Sequence, residues 1–244
     1  MFMLRDLLKG LADLVYPKRC VVCKCTIAKK ATIDEVICWE CWNKIKKNTP
    51  PFCHCCGRVL KKNSFAKHIC PECVRKKFHF DRAYSPCIYD GAIKELIHEF
   101  KYNGKDYLGN TLSKLMINFI KEYDLPVEYI DFIVPVPLHK SRLREREFNQ
   151  SQILSKHIAS EFNKPLLADT LIRHRQTRTQ TELDTEKRLT NVEGSFRVEN
   201  KEIVRGKNIL LIDDVLTTAA TSSEAAFTLK SSGAGIVFVL TLAN

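Results

Sequence analysis

The chain has 244 residues, room for one or two domains, and its hydrophobic content of 45% is enough to build a core. No apolar run approaches the roughly 18 residues that a membrane-spanning helix needs. The formal net charge of +11 is unevenly placed: residues 1–80 carry 17 Lys and Arg against 6 Asp and Glu, whereas residues 81–244 carry 22 of each. Ten of the eleven cysteines also precede residue 74, and only Cys87 follows. The two breaks coincide, and they predict a small basic, cysteine-rich domain over 1–80 and a second domain over 81–244.

Met1 to Tyr16 places Phe2, Leu4, Leu7, Leu8, Leu11, Leu14 and Val15 at helical spacing. Arg5, Asp6, Lys9 and Asp13 interrupt the stretch, so it lacks the unbroken apolar region of a signal peptide. A short helix docked on the protein's own core is expected, with a helix lying on a membrane or a partner as the alternative. The lack of an export signal predicts a cytoplasmic protein.

Four CxxC pairs follow: Cys20/Cys23, Cys38/Cys41, Cys53/Cys56 and Cys70/Cys73. A CxxC turn sets two thiolates on one side of a tight loop, which suits two corners of a tetrahedral zinc site. The first two pairs are separated by 14 residues and the last two by 13, so two four-cysteine sites are expected. Cys25 and Cys55 lie beside the ligands and are alternatives to Cys23 and Cys56. Sequential and crossed pairing, and one metal or two, remain open. Four sulfur ligands leave no open coordination position, so the metals are structural: they staple a segment too small and too polar to fold on its core alone.

The surface of this segment carries basic runs at Lys44, Lys46 and Lys47, at Lys61 and Lys62, and at Arg75, Lys76 and Lys77. Trp39, Trp42, Phe52, Phe78 and Phe80 lie among them. Cations interleaved with aromatics suit single-stranded nucleic acid, whose phosphates need charge and whose bases stack on rings. The plainer reading, that the rings fill a small core and the lysines solvate it, has equal weight from composition.

From Asp81 the pattern becomes that of alternating strands and helices. Helices are predicted over 92–102, ending at Asn103-Gly104, and over 108–123, 151–163 and 221–232; strands are predicted over 130–136, 208–212 and 236–242. The continuous apolar run of the second strand marks a buried parallel sheet, whose ligands bind at the carboxyl ends of its strands. There the sequence reads Asp213-Asp214-Val-Leu-Thr217-Thr218-Ala219-Ala220-Thr221. Adjacent carboxylates can hold vicinal ribose hydroxyls, and amides at a helix start, with threonine hydroxyls, form a nest for a phosphate. A simple helix cap would need only one such residue.

This segment resembles the phosphoribosyl pyrophosphate loop of type I phosphoribosyltransferases. Pro135 to His139, Arg142-Leu-Arg144-Glu-Arg146 and Phe148-Asn149-Gln150 resemble a second block of the ComF family of bacterial competence proteins. So do Phe100-Lys101-Tyr102 and the stretch from Arg173 to Phe196, with Thr177, Gln180, Leu183, Arg188 and Asn191. The chain departs from the family at Ala219 and Glu147, where glycine is usual. The resemblance implies an α/β fold with a mostly parallel, phosphoribosyltransferase-like sheet flanked by helices, behind a small zinc-binding domain.

It also implies roles. Asp213 and Asp214 would hold the ribose, directly or through Mg2+ carried by phosphoribosyl pyrophosphate, and Thr217, Thr218, Ala219, Ala220 and Thr221 would cradle its 5′-phosphate. Arg144 and Arg146 would face the pyrophosphate. The expected partners are single-stranded DNA and the DNA-uptake machinery at the inner membrane, to which the protein would be peripheral. Three functions compete: handling of incoming single-stranded DNA, transfer of phosphoribose to a base or amine, and sensing of phosphoribosyl pyrophosphate without turnover. An amidophosphoribosyltransferase is not expected, because the chain opens on Met1-Phe2 without that enzyme's N-terminal cysteine and glutaminase domain.

Overall fold

A computed structural model describes residues 17–27, 32–60, 68–176 and 192–244. The helix expected over 1–16, Lys61 and Lys62, and the motif residues Thr177, Gln180, Leu183, Arg188 and Asn191 lie outside the described residues. The first part holds an antiparallel pair, β1 (Thr32–Ile33) and β2 (Ile37–Cys38), and two short helices, α1 (Trp39–Asn43) and α2 (Pro71–Arg75). Then come β3 (Arg82–Tyr84), α3 (Gly91–Tyr102), α4 (Leu108–Glu122), β4 (Phe132–Pro135), α5 (Lys140–Arg146) and α6 (Gln150–Glu161). The chain continues through β5 (Leu171–Arg173), β6 (Phe196–Val198), α7 (Lys201–Val204), β7 (Ile209–Ile212), α8 (Ala220–Ser231) and β8 (Val237–Leu240).

Strands β3, β8, β7 and β4, in that order, form a parallel sheet. The α/β class is as expected. Strand β7 lies inside the sheet and all four of its residues are buried, which is why it reads as an unbroken apolar run. Pro135 ends β4 at the sheet edge, a position that tolerates a residue without an N–H. The short β3, the helix α5 and the antiparallel pair β5–β6 are additions to the predicted elements.

Alternation along β7 divides the core. Leu210 and Ile212 face a cluster that contains Ile93, Leu96, Phe100, Leu112, Met116, Leu154 and Ile158 from α3, α4 and α6. Ile209 and Leu211 face the other side, with Ala225, Ala226 and Leu229 of α8. The cysteine-rich segment contributes to both. Cys20, Ile37, Cys38, Cys41 and Ile45 belong to the first cluster, and Cys53, Cys56, Leu60 and Cys70 to the second. Between them runs the edge strand β3, where the Ala83 N–H donates to the Cys55 carbonyl at 2.7 Å, so the ribbon covers an edge that would otherwise be open to pairing. The composition break at residue 80 is therefore crossed by continuous packing on both faces of the sheet.

Candidate functional site

Strand β7 delivers Asp213 and Asp214 to its carboxyl end. Asp213 is buried; its Oδ1 accepts from the Asp214 N–H at 2.8 Å and from Ser151 Oγ at 3.4 Å, and its Oδ2 accepts from Ser222 Oγ at 3.1 Å. Burial, and then the neighbouring Asp214 charge, push its pKa up to about 7. Asp214 is half-buried, and its Oδ1 lies 2.7 Å from Lys101 Nζ. Burial works against the Lys101 charge, but Asp214 outweighs it, and the lysine pKa ends above its ordinary value. The pair of acids is thus asymmetric, one carboxylate ion-paired with Lys101 and one that holds its proton to much higher pH than an ordinary aspartate.

The following turn is stitched to the segment after β8: Leu242 N–H donates to the Asp214 carbonyl and Leu216 N–H to the Ala243 carbonyl, at 3.0 and 2.9 Å. Ala219 occupies the cap position of α8 with φ +62° and offers no side-chain acceptor to the first turn. At the start of α8 the Ala220 N–H makes a long 3.5 Å contact to Thr218 Oγ1. Thr217 is exposed, Thr218 and Thr221 are half-buried, and Ala219 and Ala220 are buried. Ala219 and Glu147 both sit in the left-handed region, Glu147 with φ +66° at the end of α5. The two positions at which the resemblance leads one to expect glycine are thus positions of positive φ. The Glu147 side chain is exposed.

Of the two arginines singled out in the sequence, Arg146 is buried and Arg144 exposed. Arg146 donates to Gln150 Oε1 and to the Tyr102 hydroxyl, both at 3.2 Å, and its guanidinium carbon lies 4.8 Å from the Tyr102 ring centre. Arg173, at the end of β5, is a third arginine of the site. It is buried, with its guanidinium carbon 5.4 Å from the Phe196 ring. Burial and the nearby charge of Arg142 pull its pKa down to about 10, with Arg146 adding to the fall and Asp213 opposing it. Composition and spacing assign no role to Lys101, Ser151, Ser222 or Arg173. Lys101 and Arg173 do stand in motifs singled out by resemblance; Ser151 and Ser222 carry no sequence signal of their own.

The cysteines form two sets, Cys20, Cys23, Cys38, Cys41 and Cys53, Cys56, Cys70, Cys73, each with its sulfurs within 4.8 Å of one another. Pairing is therefore sequential. A tetrahedral site with Zn–S bonds of about 2.3 Å has sulfur–sulfur edges of about 3.8 Å, and Cys23–Cys38 and Cys56–Cys70 are each 3.7 Å apart. Amides of Cys38 and Cys70 point at the sulfurs of Cys20 and Cys53, at 3.4 and 3.3 Å, the contact that stabilises a ligating thiolate. Both sets fit structural zinc. Cys25 stays next to the first set, its sulfur 3.0 Å from that of Cys23.

The second ribbon reaches the threonine turn. Arg58 Nη2 donates to the Thr217 carbonyl at 2.6 Å while Nη1 pairs with Glu72. Among the aromatics of the ribbons, Phe80 is buried, Phe52 packs edge-on to Tyr123 at 5.1 Å, and Trp42 is packed against the core, so the core-filling reading accounts for these three. Trp39 is 54% exposed and stays available. Among the described residues no helix is long and apolar enough to cross a membrane.

A pair of cysteine ribbons folded onto a parallel α/β unit, with an acid pair and a threonine turn at the carboxyl end of an inner strand, defines a two-part class of protein. A family model of the double zinc ribbon domain matches residues 11–81. The competence protein ComFC of Bacillus subtilis is 31% identical over 207 residues, which cover 82% of this chain and 80% of that protein. The DNA utilization protein YhgH of Escherichia coli is 27% identical over 83% of this chain and 94% of that protein. The chain belongs to the ComF family of competence proteins. Likeness to solved structures is more distant: a glutamine phosphoribosylpyrophosphate amidotransferase of B. subtilis gives a TM-score of 0.37 at 18% identity. That match covers 59% of this chain, which spans 30% of the amidotransferase chain.

Proposed function

We propose that this protein handles single-stranded DNA during its uptake, in the cytoplasm, and that Asp213 to Thr221 binds phosphoribosyl pyrophosphate with Mg2+. The observation that carries the reading is the meeting of opposite charges at one strand end: the acid pair Asp213 and Asp214 beside the buried Arg146 and Arg173. Such a site matches a ligand with hydroxyls on one side and anionic groups on the other. The acids hold the ribose hydroxyls, directly or through the ligand's Mg2+. The amides of the Thr217–Thr221 turn hold the 5′-phosphate. Arg146, rather than the exposed Arg144, faces the pyrophosphate together with Arg173. The names of the relatives, competence and DNA utilization proteins, support the DNA role, as do the basic runs of the ribbons.

A second reading, phosphoribosyl transfer, is favoured by the same charges. Breaking the C1′–oxygen bond leaves a cationic sugar and a departing pyrophosphate, which need positioned charge and no protein nucleophile, before the acceptor nitrogen bonds to C1′. One titration series separates the two. Zinc-loaded protein is given phosphoribosyl pyrophosphate with Mg2+ and single-stranded DNA, in both orders, and free pyrophosphate is assayed with candidate bases and amines. Salt-sensitive DNA binding without pyrophosphate release is the result expected. No binding of either ligand at moderate salt overturns the proposal.

A further inference from the structure

An open groove of about 600 Å3 lies beside the threonine turn; its wall includes Arg58, Glu72, Arg75 and Lys76 of the second ribbon, Tyr89, and Thr217 and Thr218 of the turn. Arg58 is engaged by Glu72 and by the Thr217 carbonyl. Among the described residues, Arg75 and Lys76 have no carboxylate partner, so the groove keeps an excess of positive charge. The half-buried Tyr89 feels the charges of both Lys101 and Asp214. The groove therefore joins the threonine turn, which follows the acid pair directly in the chain, to the ribbon cations.

The order of these groups selects a ligand. Resting on the reading of Asp213 to Thr221 as a sugar-phosphate site, the sugar lies at the acids and its 5′-phosphate at the turn. Cations beyond the turn then face whatever is attached to the far side of that phosphate. Phosphoribosyl pyrophosphate has nothing there, since its second anion is on C1. The 3′-terminal nucleotide of a strand has both parts: a free 3′-hydroxyl for the acids and a chain of phosphodiesters leaving through its 5′-phosphate. An internal nucleotide would bring its 3′-phosphate against Asp213 and Asp214. We infer that the groove and the turn together hold the 3′ end of single-stranded DNA, its chain leaving over Arg75 and Lys76. Tyr89 gives the penultimate base a stacking surface, which the tail of a nucleoside triphosphate would not use.

The test compares a short oligothymidylate bearing a free 3′-hydroxyl with its 3′-phosphorylated form and with a circle of the same length, by fluorescence anisotropy on the zinc-loaded full chain. The free end should bind about tenfold tighter than either control, and phosphoribosyl pyrophosphate with Mg2+ should displace it. Arg75→Glu with Lys76→Glu should weaken strand binding and flatten its salt slope by about 2, leaving phosphoribosyl pyrophosphate binding unchanged. A circle bound as tightly as the free end overturns the inference, as does a strand affinity indifferent to the double variant. ATP binding that falls with the double variant as steeply as strand binding also overturns it, and assigns the groove to a triphosphate. If phosphoribosyl pyrophosphate itself fails to bind, the sugar-phosphate reading falls as well. If it binds while the strand ends are not told apart, only the inference falls.

Discussion

Ala219 shows how a single methyl group bears on this site. Its φ of +62° is one that glycine adopts freely and alanine does not, and the residue is buried against the turn it shapes. Ala219→Gly should raise the stability of the chain by less than about 1 kcal/mol in chemical denaturation, because the relief of left-handed strain is partly offset by the loss of a buried methyl from the core cluster. Asp213 gives a pH signature. Its folded pKa is pushed up to about 7 from an ordinary 3.8, so between those values the folded protein holds a proton that the unfolded chain has lost. Its contribution is therefore complete below about pH 4 and is lost as pH rises toward 7. Thermal melts of Asp213→Asn beside the parent should show the variant gaining relative stability across that window, on the order of 4 kcal/mol. A constant difference from pH 4 to 8 would contradict the raised pKa of the buried carboxyl.

At the scale of elements, helix packing and the ribbon contact make separate demands. Gly109 lies in α4 where a Cβ would stand 2.2 Å from Ile153 Cγ2 of α6. Gly109→Ala should destabilise the chain by roughly 1–3 kcal/mol despite alanine's better helix propensity. Arg58 links the second ribbon to the turn through the Thr217 carbonyl. Arg58→Ala should speed hydrogen exchange of the amides from Thr217 to Ala220, while the zinc content stays at the parent value.

How much of this was legible in the sequence depends on what each element buries. The apolar stripes of α3, α4 and α6 and the unbroken apolar β7 are set by a core on one or both faces, and their positions are readable to within two or three residues. Strand β3 is only three residues long and begins with Arg82; it is a strand because β8 and the Cys55 carbonyl pair with it, a tertiary cause. Helix α5 is short and mostly polar, and β5 and β6 pair across a long separation. In the site, the acids and threonines are legible because their chemistry clusters in sequence. Ser151, Ser222 and Arg173 come from other elements and meet Asp213 only in the fold.

The whole molecule is tied together by its ribbons. Cysteines of the first ribbon pack into the cluster on one face of the sheet, and those of the second into the cluster on the other. Removal of zinc should therefore lower the melting temperature of the entire chain in one transition, rather than unfold residues before 80 alone, as followed by calorimetry with a chelator. The cysteine spacing foretells the two metal sites, but not that they clamp the sheet edge and reach the threonine turn.

The end of β7 and the turn after it are proposed as a sugar-phosphate site. Titration calorimetry of phosphoribosyl pyrophosphate with Mg2+ into the parent, Asp213→Asn and Asp214→Asn proteins measures that binding. Binding should be seen with the parent and should weaken at least about tenfold in each folded variant. Binding that is absent from the parent, or unchanged in both variants, would contradict it.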